Sequence, residues 1–157
     1  MPTRSIDEIV AAMPTFAGLA PERLELIAGC GQNKGFEAGE HLAREGDPAD
    51  TFYAIRRGRV ALEVAAPGAA TMMIETLDEG DVVGWSWLFP PHRWSFDVRA
   101  VEPVRAIAFD GACLRGKCEA DKALGYELMR RFAGVMLDRL QATRLQLLDV
   151  YGGAAVE

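Results

Sequence analysis

One short stretch of the chain, residues 84–100, concentrates the side chains that could bind a small molecule. It reads GWSWLFPPHRWSFDVRA and holds all three tryptophans of the protein. Its candidate ligand-binding residues are Gly84, Trp85, Ser86, Trp87, Arg93, Trp94, Ser95 and Asp97. Indole rings stack on flat ligands, and an arginine with serine hydroxyls holds an acidic group. The segment therefore predicts either a pocket for a small anionic or aromatic ligand, or a dry core that the rings fill themselves.

Catalysis has no support in the sequence, which shows no nucleophile–base pairing, metal-ligand spacing or phosphate-binding loop. A haem ligand or proton switch at His92 is less favoured than a loop histidine, because no axial partner is identified. Cys30, Cys113 and Cys118 are an odd count at irregular spacing. This spacing predicts reduced thiols in a reducing compartment rather than a disulfide framework.

The length of 157 residues, with 50% hydrophobic and 25% charged residues, is that of one ordered domain. A formal net charge of −6 offers no cationic surface for a phosphate backbone, so nucleic acid is not an expected partner. No apolar run reaches the roughly 20 residues that a membrane span requires, and the start MPTRSIDEIV lacks the order of a signal peptide. We expect a soluble, cytoplasmic, non-enzymatic protein that acts by binding.

The elements that position residues 84–100 fall into three regions. Residues 5–34 predict two short helices, the first beginning at the capping-box pattern of Ser5 and Glu8. Residues 35–109 alternate glycine turns with short β-branched or aromatic runs such as TFYAI, which is typical of an antiparallel sandwich or roll. One helical turn is expected near Trp87, between Val83 and Ser95. Residues 110–151 predict C-terminal helices, because helix formers return there.

The last helix carries two apolar stripes. One recurs at intervals of three and four residues, at Tyr126, Met129, Ala133, Met136, Leu140, Thr143, Leu147 and Val150. The other consists of Leu124, Leu128, Phe132 and Val135. Two stripes need two surfaces to cover them, so we expect one to pack on the β body and the other to pair with a second copy. The predicted dimer seam comprises Met129, Ala133, Met136, Leu140, Thr143 and Leu147; the alternative is that it is the helix's own core face.

The order of these elements resembles that of cyclic nucleotide-binding domains. The run at residues 39–64 matches the family's opening pattern at Gly39, Glu40, Glu45, Gly46, Asp47, Asp50, Tyr53, Ile55 and Gly58. The run LDEGDVVGW resembles its second glycine turn, and VRAVEPVRAIAF resembles the strand pair that closes the roll. The resemblance implies one mainly β domain, residues 1–157. Its fold would be a jelly-roll-like antiparallel β-roll (double-stranded β-helix) with N-terminal helices, an embedded helical turn and a long C-terminal helix.

Residues 84–100 correspond in that family to the phosphate-binding cassette, and we call them the cassette. There a helix N-terminus and an arginine hold the cyclic phosphate, and a glutamate accepts a hydrogen bond from the ribose hydroxyl. Trp85 stands at the position of that glutamate, and Trp94 at that of the arginine, with Arg93 one residue early. Losing both charge-assisted hydrogen bonds weakens cyclic nucleotide binding by about two to four decades.

Asp97 occupies a position that is small or hydroxylic in the family, and we expect it to form an ion pair with Arg93 or Arg99. Such a pair would compete with the binding of an anion at Arg93.

The resemblance implies a regulatory module with three possible modes of action. The favoured one is a sensor in which a cyclic nucleotide or another small anionic or aromatic effector binds the cassette, biases the long-helix dimer and is read by a partner protein. The alternatives are a ligand-free dimeric interaction module whose pocket is plugged by tryptophan and, less favoured, a haem-based sensor. Transcription regulators of the family carry a helix-turn-helix after the long helix, whereas this chain ends at Glu157, so DNA binding is not expected.

Overall fold

The computed structural model describes residues 5–65, 68 and 70–155, with side chains as far as Asp149. Four α-helices are α1 (Ile6–Ala12), α2 (Pro21–Ala28), α3 (Gly111–Ala120) and α4 (Lys122–Ala155). The strands are β1 (Gly31–Phe36), β2 (His41–Ala43), β3 (Thr51–Arg57), β4 (Val60–Ala65), β5 (Thr71–Leu77), β6 (Val82–Val83), β7 (Asp97–Ala100) and β8 (Val104–Asp110). A single 3₁₀ turn, Ser86–Leu88, lies between β6 and β7. None of the helices described is long and apolar enough to cross a membrane.

Two four-stranded antiparallel sheets, ordered β1-β8-β3-β6 and β2-β7-β4-β5, form the roll. The predicted fold class is confirmed, although β1 begins at Gly31, four residues before the expected start of the roll. Gly58 shows why glycine recurs at the corners of the roll. It has φ +93°, and a Cβ there would lie 2.3 Å from the carbonyl oxygen of Pro103. Only glycine permits this approach.

The core has two parts, one on each face of the first sheet. Its outer face packs against the helices, where the largest buried side chains are Phe16, Phe52, Trp87, Phe109, Leu128 and Phe132. Its inner face meets the second sheet inside the roll, where Tyr53, Ile55, Leu62, Val83, Trp94 and Val98 are buried. The cassette contributes one tryptophan to each part of the core.

The cysteines depart from the sequence-based expectation. Cys30, just before β1, forms a disulfide with Cys113 in the first turn of α3, with a Cα–Cα distance of 5.9 Å. The partners are 83 residues apart, but β1 pairs with β8 and brings them together, with the Asp110 amide donating to the Cys30 carbonyl at 2.8 Å. The prediction of reduced thiols was wrong for this pair, and the compartment argument built on it loses its support. Cys118 is free and partly buried, and this burial raises the pKa of its thiol.

Helix α4 presents its two stripes to different surroundings. Leu124, Leu128 and Phe132 are fully buried against the body of the domain. The predicted seam faces away from it: Met129, Ala133, Leu140, Thr143 and Leu147 are exposed, and Met136 is partly buried. The seam is therefore available to a partner, and the sequence-based alternative that it forms the helix's own core face does not match these exposures.

Candidate functional site

The cassette leaves the sheet at β6 and crosses to β7 by way of the 3₁₀ turn. Gly84, the first residue after β6, has φ +96° and a fully covered backbone. An added Cβ there would lie 2.5 Å from the Cη2 atom of Trp94. The indole of Trp94 therefore rests directly on the Gly84 backbone, at the place where the cassette begins.

Trp94 is buried inside the roll and is only 5% exposed. Its ring stacks near Tyr53 with centroids 6.4 Å apart and meets the edge of Phe96 at 6.1 Å. Its backbone is held by the loop before β3, because the Trp94 amide donates to the Asp47 carbonyl at 2.9 Å and the Gly46 amide donates to the Trp94 carbonyl at 2.8 Å. Burial raises the pKa of Tyr53, whose hydroxyl donates to the Leu42 carbonyl. Other aromatic rings thus surround the indole, while hydrogen bonds hold the backbone of Trp94 and the hydroxyl of Tyr53.

Trp87 belongs to the other part of the core. It is 1% exposed, stacks on Phe52 at 4.8 Å between centroids, and meets Phe132 of α4 edge-on at 5.4 Å. Its indole Nε1 has no hydrogen-bond partner among the described residues. Trp87 is therefore packed among apolar side chains of the helix-side core.

Trp85 packs against the helix-side part of the core and contacts α4. The guanidinium of Arg139 sits over its ring, 5.0 Å from the centroid, and also donates a hydrogen bond to the Val82 carbonyl. Burial lowers the pKa of Arg139, while the carboxylates of Glu75 and Asp81 act in the opposite direction. The tryptophans are divided between the two parts of the core. Trp94 fills the roll, whereas Trp87 lies in the helix-side core and Trp85 packs against that core beneath the Arg139 guanidinium.

The polar candidates are engaged with the protein or turned to solvent. Arg93 is exposed and donates to the Gly46 carbonyl at 2.8 Å. Ser95 is exposed, and Ser86 lies in the 3₁₀ turn, where its carbonyl accepts from the Phe89 amide. The side chains of Arg93 and Ser95 are thus exposed rather than buried in the interior of the roll that Trp94 occupies.

Asp97 does not form the ion pair expected of it. Its Oδ1 accepts a hydrogen bond from the Glu45 amide at 2.7 Å. Arg99 pairs instead with Glu63 on the adjacent strand β4, through contacts of 2.9 and 3.1 Å. Asp97 therefore binds a backbone amide, and Arg99 is already paired across the sheet with Glu63.

A cavity of about 600 Å³ lies between α4 and the turn that joins β5 to β6, and its lining includes none of the eight candidate residues. Arg131 and Arg139 face it together with four carboxylates, from Glu75, Glu79, Asp81 and Asp138. Two cations against four acids do not favour an anionic ligand in this cavity.

Sequence reasoning assigned no role to Arg139, because nothing in the pattern of α4 distinguishes it from a solvated arginine. Among the described residues, no group of three or more histidine, cysteine or acidic side chains is arranged to hold a metal ion.

Comparison with known proteins identifies the class. The cyclic nucleotide-binding domain model matches residues 33–121, and the chain belongs to that family. A solved structure from Geobacter metallireducens is 30% identical and superposes with a TM-score of 0.77, covering 85% of this chain and 97% of the other.

Two curated mycobacterial relatives match only in part. The CRP-like cAMP-activated global transcriptional regulator of Mycobacterium tuberculosis H37Rv is 26% identical over 92% of this chain and 63% of its own length. Acetyltransferase Pat of Mycolicibacterium smegmatis is 33% identical over 60% of this chain and 28% of its own length. The chain therefore spans less than two thirds of the regulator, and about a quarter of the acetyltransferase.

Proposed function

We propose that this domain is a non-catalytic regulatory module that acts through protein–protein contacts without binding a cyclic nucleotide. The observation that carries the proposal is the position of Trp94, which fills the interior of the roll against Gly84. A cyclic nucleotide would have to displace a buried indole, and neither polar group of the family pattern would be there to hold it. The proposal takes the second of the sequence-based interpretations, the plugged pocket, over the sensor.

The contact of Trp85 with Arg139 supports the same proposal. The guanidinium of Arg139 joins α4 to the cassette by stacking on Trp85, and it also bonds to the Val82 carbonyl. A cation over an indole contributes about 0.5–2 kcal/mol, more when it is desolvated. The cassette thus contacts α4 directly through its Trp85 ring, and β6 does so through the Val82 carbonyl.

Calorimetric titration of the full chain with cAMP, cGMP and cyclic dinucleotides tests the proposal. We expect a flat response up to millimolar ligand, because Trp94 fills the space and the anchors are absent. Micromolar binding of a cyclic mononucleotide would overturn the proposal and restore an ordinary second-messenger receptor. Binding of another member of the panel would favour the effector-sensor alternative, and a Soret band in the purified protein would favour the haem-based one.

The partner we propose for α4 is a second copy of the chain, paired along the seam. Exposed apolar side chains continue along this helix, with Leu140 48%, Leu147 51% and Leu148 65% exposed. An isolated helical face of this kind is normally covered by a partner helix in a coiled-coil arrangement.

Leu140→Glu is expected to convert the dimer into a monomer of 17.1 kDa, because it places two carboxylates face to face in an apolar seam. Sedimentation velocity measures the change. Gln141→Glu is the matched control, since it adds the same charge at the neighbouring exposed position outside the seam and should leave the dimer intact. A wild-type chain that sediments as a monomer, or a dimer that survives Leu140→Glu, would show that α4 does not pair in this way.

A further inference from the structure

Three arginines converge where β3 leaves the first sheet. Arg57 of β3 stands directly opposite Arg105 of β8, and the register shifts between Ile55 and Arg57, so that Arg56 is an extra residue in the strand. A β-bulge of this kind re-aims side chains, and here two arginines of β3 oppose one of β8. Like charges directly across an antiparallel pair destabilise a sheet, so the arrangement is not explained by stability.

The arginine cluster, Arg56, Arg57 and Arg105, lacks acidic partners. Within the described part of the chain, none of the three lies within 4.0 Å of a carboxylate. The Arg56 side chain is instead oriented by a neutral group, because its Nη1 donates to the Asn33 Oδ1 at 2.8 Å. A small cavity of about 250 Å³ is lined by these three residues alone. In a chain of net charge −6, this is a local and uncompensated positive site.

A groove of mixed polar and apolar lining continues from the arginine cluster. It has a volume of about 400 Å³ and shares Arg56 and Arg57 with the smaller cavity. The rest of its lining comes from the end of α1 and the following loop, from β3, and from the turn before β6, namely Ile9, Ala12, Met13, Pro14, Ile55, Glu79 and Gly80. Glu79 is the single acid among the groove residues, against two shared arginines.

We propose that the arginine cluster and this groove bind an acidic segment of a partner protein that carries an apolar side chain next to its carboxylates. Guanidinium groups bind carboxylates through paired, charge-assisted hydrogen bonds, and Ala12 and Pro14 of the groove offer exposed apolar surface to the apolar side chain. A small inorganic anion would leave the groove without a role. Nucleic acid is disfavoured because it would meet the acidic remainder of the surface. The site is separate from the α4 seam, so the domain can pair with itself and hold a partner at the same time.

Fluorescence anisotropy with a short labelled peptide of alternating glutamate and leucine tests the proposal on the full chain. We expect saturable binding that weakens about tenfold or more in Arg57→Gln/Arg105→Gln, which removes two charge-assisted contacts. Arg23→Gln/Arg44→Gln is the matched control, because it makes the same charge change outside the cluster and should bind as the wild type does. The midpoint of thermal unfolding of the cluster variant should be equal or higher, since a like-charge pair is relieved. Arg105→Lys, which keeps the charge, should retain more binding than Arg105→Gln.

Four results would overturn the proposal. The first two are no binding of the peptide to the wild type, and equally tight binding of a peptide with glutamine in place of glutamate. The other two are a loss of binding in the control variant as large as that in the cluster variant, and displacement of the peptide by inorganic phosphate at the concentration at which the peptide itself binds. A thymidine oligonucleotide that binds as tightly as the peptide, and is lost in the same variant, would assign the site to nucleic acid instead.

Discussion

Trp85→Glu combined with Trp94→Arg is expected to turn this chain into a cAMP-binding protein, with an affinity about two to four decades above that of the wild type. The two substitutions place a carboxylate and a guanidinium at the positions that bind ribose and phosphate in the family pattern. They also remove the indole that fills the roll and covers the backbone of Gly84. Arg139, which now stacks on Trp85, would face the introduced carboxylate.

Calorimetry and thermal unfolding with and without cAMP measure this gain. Without ligand, the double variant should be less stable than the wild type, because it leaves a charge in the interior of the roll. Its unfolding temperature should rise as cAMP is added, since a ligand that binds only the folded state stabilises it. Trp85→Ala/Trp94→Ala is the matched control, which opens the same space without anchors and should bind little. A folded double variant that does not bind cAMP would show that more than these two positions separates the chain from a receptor.

Trp87→Ala is expected to lower the free energy of unfolding by about 3–5 kcal/mol, as large-to-small changes of buried aromatic residues do. The ring joins three parts of the domain, because it stacks on Phe52 of β3 and meets Phe132 of α4 from within the cassette. Its loss leaves a cavity where these parts meet. Urea unfolding followed by far-ultraviolet circular dichroism measures the effect.

Two further substitutions show whether the stability effect belongs to the buried ring. Phe89 follows the same 3₁₀ turn, and its ring is 45% exposed. Phe89→Ala should therefore lower the free energy of unfolding far less. Trp87→Phe keeps an aromatic ring against Phe52 and should also be milder than the change to alanine. If Trp87→Ala unfolded at the same urea concentration as the wild type, Trp87 would not hold the cassette in the core.

The fold could be predicted because its decisive signals are local. Glycines that must adopt positive φ, such as Gly58 and Gly84, occur at corners of the roll, and turn chemistry is visible in the sequence at each of them. The long helix could be predicted as well, since the buried stripe through Leu128 and the exposed stripe through Leu140 follow helical spacing. Neither signal depends on contacts between distant parts of the chain.

The site could be predicted only as a segment, because its chemistry depends on where each ring points. A run with Trp85, Trp87 and Trp94 gives the same composition whether the indoles line one pocket or pack into separate places. The direction of Trp94 is set by its backbone bonds to Asp47 and Gly46, nearly fifty residues earlier in the chain. The Cys30–Cys113 bond depends in the same way on the pairing of β1 with β8, which spacing alone does not reveal.

The position of Arg139 has a consequence for communication within the domain. Arg139 touches the cassette, and the next residue along α4, Leu140, lies on the exposed seam. One turn of one helix thus carries both contacts, so a rotation of α4 that improves one must alter the other. By thermodynamic linkage, the free energy by which the cassette contact favours or opposes helix pairing equals the free energy by which helix pairing favours or opposes the cassette contact. In the dimer proposed above, assembly state would therefore take the place of a messenger as the input to this domain.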